Sequence, residues 1–218
     1  SFLSYSQKFD KKIQDLINEN LDETIELRHW FHQNAELSNR EFKTAARIAE
    51  ELKKIGYEPM TGIAKTGVVA ILNPGKPGPV VGLRADIDAL PVKERADIPW
   101  ASKMKGVYNG EEVPVMHACG HDMHTAILLA AAKILYDIKD EIPGQVKFIF
   151  QPAEEGAPPG EEGGAELMVK EGVLKNPDVD AIFGLHVWSG LYAGQVYLRP
   201  EGIICLLYTS PSPRDSSE

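Results

Sequence analysis

His117-Ala118-Cys119-Gly120-His121-Asp122-Met123-His124 gathers three imidazoles, a thiol and a carboxylate within eight residues. Cys119 and His121 flank a glycine, so in an extended loop a metal ion can sit between them, with no side chain on Gly120 to obstruct close approach. The run that follows, Thr125-Ala-Ile-Leu-Leu-Ala-Ala-Ala-Lys-Ile-Leu135, is apolar and free of Gly and Pro. It predicts a buried helix with Asp122 as its N-cap. Candidate ligands would then sit on a loop held rigidly at a helix N-terminus. Taken singly, a buried cysteine or a hydrogen-bonded histidine is ordinary core material. The cluster argues for a metal only if further ligands arrive from elsewhere in the chain.

Outward from this stretch, the apolar spacing alternates between helical and strand-like. Phe9, Ile13, Leu16 and Ile17 recur at helical spacing, and Leu27, Trp30 and Phe31 do so again, which predicts two amphipathic helices at the start. Ser38-Asn39-Arg40-Glu41 has the form of a capping box, followed by Phe42, Ala45, Ala46, Ala49 and Leu52 on one face and a stop at Gly56. A helix over about 39–55 is expected. Gly67-Val-Val-Ala-Ile-Leu72, Pro79-Val-Val-Gly-Leu-Arg-Ala85, Gln145-Val-Lys-Phe-Ile-Phe150 and Asp180-Ala-Ile-Phe-Gly-Leu185 read as buried strands, and Ala165 to Glu171 as a short helix stopped by Gly172. Asn73-Pro-Gly-Lys-Pro-Gly78 reads as a tight turn. The alternation predicts an α/β fold with a mostly parallel central sheet flanked by helices.

In open α/β sheets, binding groups collect just past the carboxyl ends of strands. Three of the expected strands deliver such groups: Asp86 and Asp88, then Glu154 and Glu155, then His186. Each has an ordinary reading as a turn former or a solvated loop residue, and Glu161 and Glu162 make a merely acidic loop plausible for the tandem pair. Three strands delivering ligand types together with the Cys119/His121 loop favour a metal site. Thiolate, imidazole and carboxylate together suit zinc, manganese, cobalt or nickel rather than calcium. The candidate ligands are Cys119, His121, Glu155 and His186. In the tandem Glu154-Glu155, one carboxylate can ligate metal while its neighbour stays free to accept a proton from a metal-bound water.

Composition excludes other classes. The net charge of -9 argues against nucleic acid or an anionic membrane surface as the main partner. No apolar stretch is long enough to span a bilayer, and the first residues lack the layout of a signal peptide, so a cytoplasmic location is expected. With two cysteines, Cys119 and Cys205, there is no disulfide framework.

Four segments, Leu83-Arg-Ala-Asp-Ile-Asp-Ala-Leu-Pro91, Met116-His-Ala-Cys-Gly-His-Asp-Met-His-Thr125, Phe150-Gln-Pro-Ala-Glu-Glu-Gly156 and Phe183-Gly-Leu-His-Val-Trp188, resemble the metal-dependent amidohydrolases. That group includes hippurate hydrolase, N-acyl-amino-acid amidohydrolases, indole-acetyl-amino-acid hydrolases, N-acetyldiaminopimelate deacetylase and related carboxypeptidases. The resemblance runs from about Leu27 to about Ile203. It implies a zinc-peptidase-like catalytic domain holding two divalent ions at Cys119, His121, Glu155 and His186. It also implies Glu154 as general base, Asp88 as a supporting aspartate of the site, and an N-acyl amino acid or short peptide as substrate. Asp86 falls where related peptidases carry a metal-binding histidine, which leaves its role open, and Ala35 stands where relatives often have proline. The resemblance further implies a homodimer or higher oligomer in full-length form. Members continue past Ile203 into a lid and dimerisation domain and a last metal-binding histidine. Residues 1–203 are accordingly read as the N-terminal part of a catalytic domain and 204–218 as a disordered Pro/Ser-rich tail, giving a chain expected to be nearly inactive. The rival expectation is a non-catalytic metal-binding fragment or pseudoenzyme.

Overall fold

Residues 2–33 contain no Gly or Pro, and the two amphipathic segments expected there join into one helix, α1 (Phe2–Gln33), in the computed structural model. The structure describes residues 2–197, with side chains from Phe9 onward. Among the described side chains of α1, the buried ones are Asn20, Leu27, Phe31 and His32. The next helix, α2 (Phe42–Ile55), starts later than the capping-box reading places it. Ser38 does not cap it. The Glu36 carboxylate does, accepting hydrogen bonds from Lys43 N at 3.2 Å and from Thr44 N at 2.9 Å. Gly56 closes α2 in the left-handed conformation at φ 117°, as its position at the end of the apolar pattern predicts.

The strands follow as β1 (Met60–Ile63), β2 (Gly67–Leu72) and β3 (Val80–Asp86). A small hairpin of β4 (Lys105–Tyr108) and β5 (Glu111–Pro114) comes next. The hairpin lies where apolar patterning is silent. Its mark is Asn109-Gly110, at φ 52° and 84°, the dipeptide that supplies the positive φ values of a tight hairpin turn. Helix α3 (His121–Asp137), strand β6 (Gln145–Gln151), helix α4 (Gly164–Lys170) and strand β7 (Ala181–Gly184) complete the order.

The main sheet runs β1-β2-β6-β3-β7. It is mixed rather than mostly parallel. The pairs β6–β3 and β3–β7 are parallel, whereas β2 pairs antiparallel with both β1 and β6. An apolar run records burial but not direction, so the sequence pattern could not assign the antiparallel half. The parallel half is the one that carries the candidate ligands.

Helices α1, α2 and α3 cover one face of the sheet around Phe31, Ile48, Leu52, Leu129, Phe148 and Phe150. Met168 of α4 packs on the other face against Val69 and Ile149. Burial on both faces accounts for the unbroken apolar runs of β2 and β6. Lys147 of β6 is the exception. It is 2% exposed, and its ammonium donates to the carbonyls of Val173, Lys175 and Pro177 at 2.8–2.9 Å. Tyr57 ties α2's exit to α3, its hydroxyl donating to Ala132 O at 2.8 Å. Burial pushes its pKa up. Tyr57→Phe is expected to cost about 1 kcal/mol, read as a lower urea midpoint at unchanged m-value.

The described chain divides into two units at Val187. Within the second, backbone bonds from Leu191 to Trp188 and from Gln195 to Tyr192 close two turns. The boundary expected at residue 203 and the Pro/Ser-rich stretch after it lie outside the described residues. No helix among the described residues is long and apolar enough to cross a membrane.

Candidate metal centre

Because β3, β6 and β7 are parallel, their carboxyl ends open on one side of the sheet. In register, Asp86 lies beside Gln151, and Arg84 beside Gly184. Two residues beyond β3 comes Asp88, three and four beyond β6 come Glu154 and Glu155, and two beyond β7 comes His186. Helix α3 begins at the same end, and its N-terminus brings in Cys119 and His121. The residue before α3 is Gly120, at φ 90°, and not Asp122. Asp122 lies in the first turn, is buried, forms an ion pair with Arg28 (Nε to Oδ2, 2.8 Å) and accepts a hydrogen bond from His32 Nδ1 at 2.9 Å. It therefore anchors α3 to α1 and does not cap it.

The residues named from the sequence converge. His121 is fully buried, and its Nδ1 donates to Asp88 through the carbonyl at 2.9 Å and Oδ1 at 3.1 Å. That bond fixes the tautomer and turns Nε2 toward the acidic pair, 3.8 Å from Glu154 Oε2 and 3.8 Å from Glu155 Oε1. Cys119 Sγ belongs to the same group with His121 and Glu155, their ligand atoms all within 4.8 Å of one another. His186 Nε2 lies 3.5 Å from Cys119 Sγ, while its Nδ1 faces Val187 O. Asp88 Oδ2 accepts from Ser38 Oγ at 2.7 Å and from Glu155 N at 2.9 Å, so one aspartate orients both His121 and the Glu155 backbone.

Asp86, left open by the sequence, and His124, which the sequence does not single out, form a second group with His121 and His186. Their bonding argues against ligand roles. Asp86 spends Oδ1 on His124 Nδ1 and Oδ2 on Arg84 at 2.8 Å. The remaining nitrogen of His124 accepts from Val187 N at 2.9 Å. The Asp86–His124 pair thus buttresses the backbone beside His186. No sequence signal separates His124 from a ligand, because the decisive bond comes from a residue 63 positions away. His117 is buried, with neither ring nitrogen hydrogen-bonded among the described residues. Burial lowers its pKa to about 4, so it is neutral near pH 7.

The electrostatics suit a bound cation. Burial alone would lower the pKa of His121, but its hydrogen bond to Asp88, the nearby Cys119 and the charge of Asp86 push it up to about 11. Burial raises the pKa of Glu155. The thiol of Cys119 is pulled down by His121, yet burial and the charge of Glu155 outweigh that and leave it raised. A proton on His121 thereby places positive charge among four carboxylates, Asp86, Asp88, Glu154 and Glu155, of which Asp86 is also paired with Arg84. Two buried atoms without a hydrogen-bond partner, His121 Nε2 and Glu155 Oε1, face each other at 3.8 Å. That gap is too long for a hydrogen bond, and it suits two ligands of one ion at about 2.0–2.2 Å from each. The donor set present fits a transition-metal ion.

Gly120 permits the crossing of two site segments. A Cβ added there would lie 2.4 Å from Val187 Cγ2, at a φ that side chains rarely adopt. Gly120→Ala is therefore expected to displace Val187 and with it His186. Cobalt affinity should fall about tenfold, on the scale of lost ligand-orienting contacts, as measured by titration of the purified chain.

A profile of peptidase family M20/M25/M40 matches residues 82–203, the stretch that spans Asp86, Asp88, Cys119, His121, His124, Glu154, Glu155 and His186. The chain belongs to peptidase family M20/M25/M40. It is 42% identical over 186 residues to the N-acyl-L-amino acid amidohydrolase of Geobacillus stearothermophilus, covering 85% of this chain and 46% of that protein. It is 43% identical over 175 residues to the hippurate hydrolase of Campylobacter jejuni, covering 79% and 42%. Among solved structures, the YXEP protein of Bacillus subtilis, described as a dinuclear metal binding peptidase of the M20 family, superposes with a TM-score of 0.64 at 39% identity, covering 81% of this chain and 44% of that one. The chain spans about half the length of the curated relatives it matches. Its M20 relatives are hydrolases, amidohydrolases and carboxypeptidases among them.

Proposed function

We propose that this chain carries the metal-binding half of an M20 amidohydrolase that cleaves the amide bond of N-acyl amino acids. Cys119, His121, Glu155 and His186 would hold a divalent pair. The observation that carries this reading is the facing of His121 Nε2 and Glu155 Oε1, buried and without partners, beside Cys119 and His186. The donors suit zinc, manganese, cobalt or nickel, and a reducing compartment such as the cytoplasm would keep Cys119 available. When bound, such ions polarise an amide carbonyl and make water more acidic.

The residues of the chain then divide the remaining work. Glu154 is the more open of the tandem carboxylates and lines a cavity of about 540 Å³ together with Arg84, Gln151 and Lys170. Its Oε2 accepts the proton of the attacking water and passes it to the departing amine, which leaves as the free amino acid. Asp88 keeps His121 in the tautomer that presents Nε2. The Asp86–His124 pair holds the backbone that presents His186.

The test is to titrate the purified chain with cobalt and follow the thiolate-to-metal absorption band. Release of free amino acid from N-acetyl and N-benzoyl amino acids is then assayed in this chain and in one extended to the length of its relatives. Cobalt uptake with a thiolate band, and amino-acid release by the extended chain, are the expected results. Uptake without release in the extended chain would leave a metal-binding protein and overturn the catalytic reading.

A further inference from the structure

The tetrad Ser38-Asn39-Arg40-Glu41, which does not cap α2, instead lies beneath the metal centre. Ser38 holds Asp88, as described above. Glu41 is fully buried, and its two carboxylate oxygens part company: Oε2 accepts from Thr66 Oγ1 at 2.7 Å and Oε1 from Ala153 N at 2.8 Å. Ala153 is the residue at which the chain leaves β6 and turns into Glu154 and Glu155. Its φ is 49°, in the left-handed region that costs a residue with a Cβ about 1–2 kcal/mol. Such a conformation persists only where its surroundings hold it. The Glu41–Ala153 bond is one such hold.

We propose that Glu41 is a positioning residue that sets the Ala153 turn and, through it, the directions in which Glu154 and Glu155 point. This rests on the metal-site reading above. Glu155 is then fixed from two sides, by Asp88 on its own backbone N–H and by Glu41 two residues earlier. An ordinary structural role for Glu41 would be satisfied by its bond to Thr66, which ties α2's entry to β2. The bond to Ala153 adds nothing to that tie and acts only on the loop of the tandem carboxylates. Burial and the charge of Asp88 raise the Glu41 pKa to about 7. A carboxylate so disfavoured by its setting is retained here for its two acceptor oxygens.

The experiment uses the purified chain and three variants. Glu41→Gln keeps an oxygen for Ala153 and places an amide N–H₂ against Thr66. Glu41→Asp is one methylene too short to reach both partners, and Thr66→Val removes the structural tie alone. Two readouts are taken below the melting temperature of each variant: cobalt affinity, and amide hydrogen exchange of residues 153–155. For Glu41→Asp the expectation is a cobalt affinity lower by about ten- to a hundredfold and exchange at residues 153–155 faster by about tenfold, the free-energy scale of one lost hydrogen bond. Glu41→Gln and Thr66→Val are expected within about threefold of wild type on both measures, since single good hydrogen bonds to Ala153 are kept. Unchanged affinity and exchange in Glu41→Asp would overturn the proposal, as would losses in Thr66→Val that match those in Glu41→Asp. Absence of cobalt binding in the wild type would defeat the metal reading instead, and the exchange measurements would still decide whether Glu41 holds the turn.

Discussion

Glu154→Gln, made in a chain extended to the length of its relatives, is expected to lower kcat by about 10²–10⁴-fold with bound metal unchanged. Glu155→Gln is expected to lose metal first and activity as a consequence. Adjacent carboxylates leave a strand with their side chains aimed differently, and here the surroundings assign them. Glu155 Oε1 is buried without a hydrogen-bond partner and faces His121 Nε2, and the Glu155 backbone is pinned by Asp88. An oxygen buried that way is costly unless a cation meets it, which is the ground for proposing Glu155 as the ligand of the pair. Glu154 lines the open cavity, on the side from which the proposed reading brings water and substrate. The amide introduced by Glu154→Gln keeps the size of the side chain but cannot accept and return a proton, which separates chemistry from binding. The measurements are metal content by elemental analysis and turnover of an N-acetyl amino acid at saturating substrate. Equal metal content with equal residual activity in the two variants would sink the division of labour.

How far the sequence discloses this centre depends on where each residue's role is decided. Glu154, Glu155 and His186 are legible because they sit at fixed offsets from the ends of β6 and β7, and Cys119 and His121 because they flank Gly120 at the start of α3. Strand β6, buried on both faces, announces itself as an apolar run, whereas β7 has the same apolar pattern but is exposed at all four residues rather than buried as its sequence suggests. Other roles are decided by partners remote in sequence. Asp86 and His124 look like ligands until their oxygens and nitrogens are seen to be spent on Arg84, on each other and on Val187 N. Ser38 and Glu41 satisfy the spacing of a capping box, yet helix α2 takes its cap from Glu36, because Asp88 and Ala153 compete for the two polar side chains and win. The antiparallel placing of β1 and β2 is likewise invisible to apolar periodicity. The hairpin at Asn109-Gly110 is marked only by its turn residues, since its strands are too short and too exposed to show a pattern.

Replacement of His121 should have the largest effect on the centre, because this one side chain serves both the ion and the apo fold. His121→Ala is expected to weaken cobalt binding by more than about a hundredfold, beyond the ten- to hundredfold cost of losing a ligand-orienting partner, and to remove the thiolate band. It should also change how the metal-free chain responds to pH. In the folded, metal-free protein the His121 pKa is raised to about 11, against an ordinary value of 6.5. The folded state therefore holds this proton more tightly than the unfolded state. The resulting stability is fully present below about pH 6.5 and is lost as pH rises through about 11. Glu41 and His32 also have raised pKa values and add losses in the same direction, so the informative quantity is the difference between wild type and variant. With metal removed by a chelator, urea unfolding at pH 6.5 and pH 9 should show wild type losing more stability than His121→Ala over that interval. Metal binding works the opposite way, since an ion must displace the Nε2 proton, and cobalt affinity of the wild type should climb as pH rises. Tight cobalt binding with an intact thiolate band in His121→Ala would remove His121 from the centre. Parallel pH dependences in the two apo proteins would show that His121 carries no proton in place of the ion.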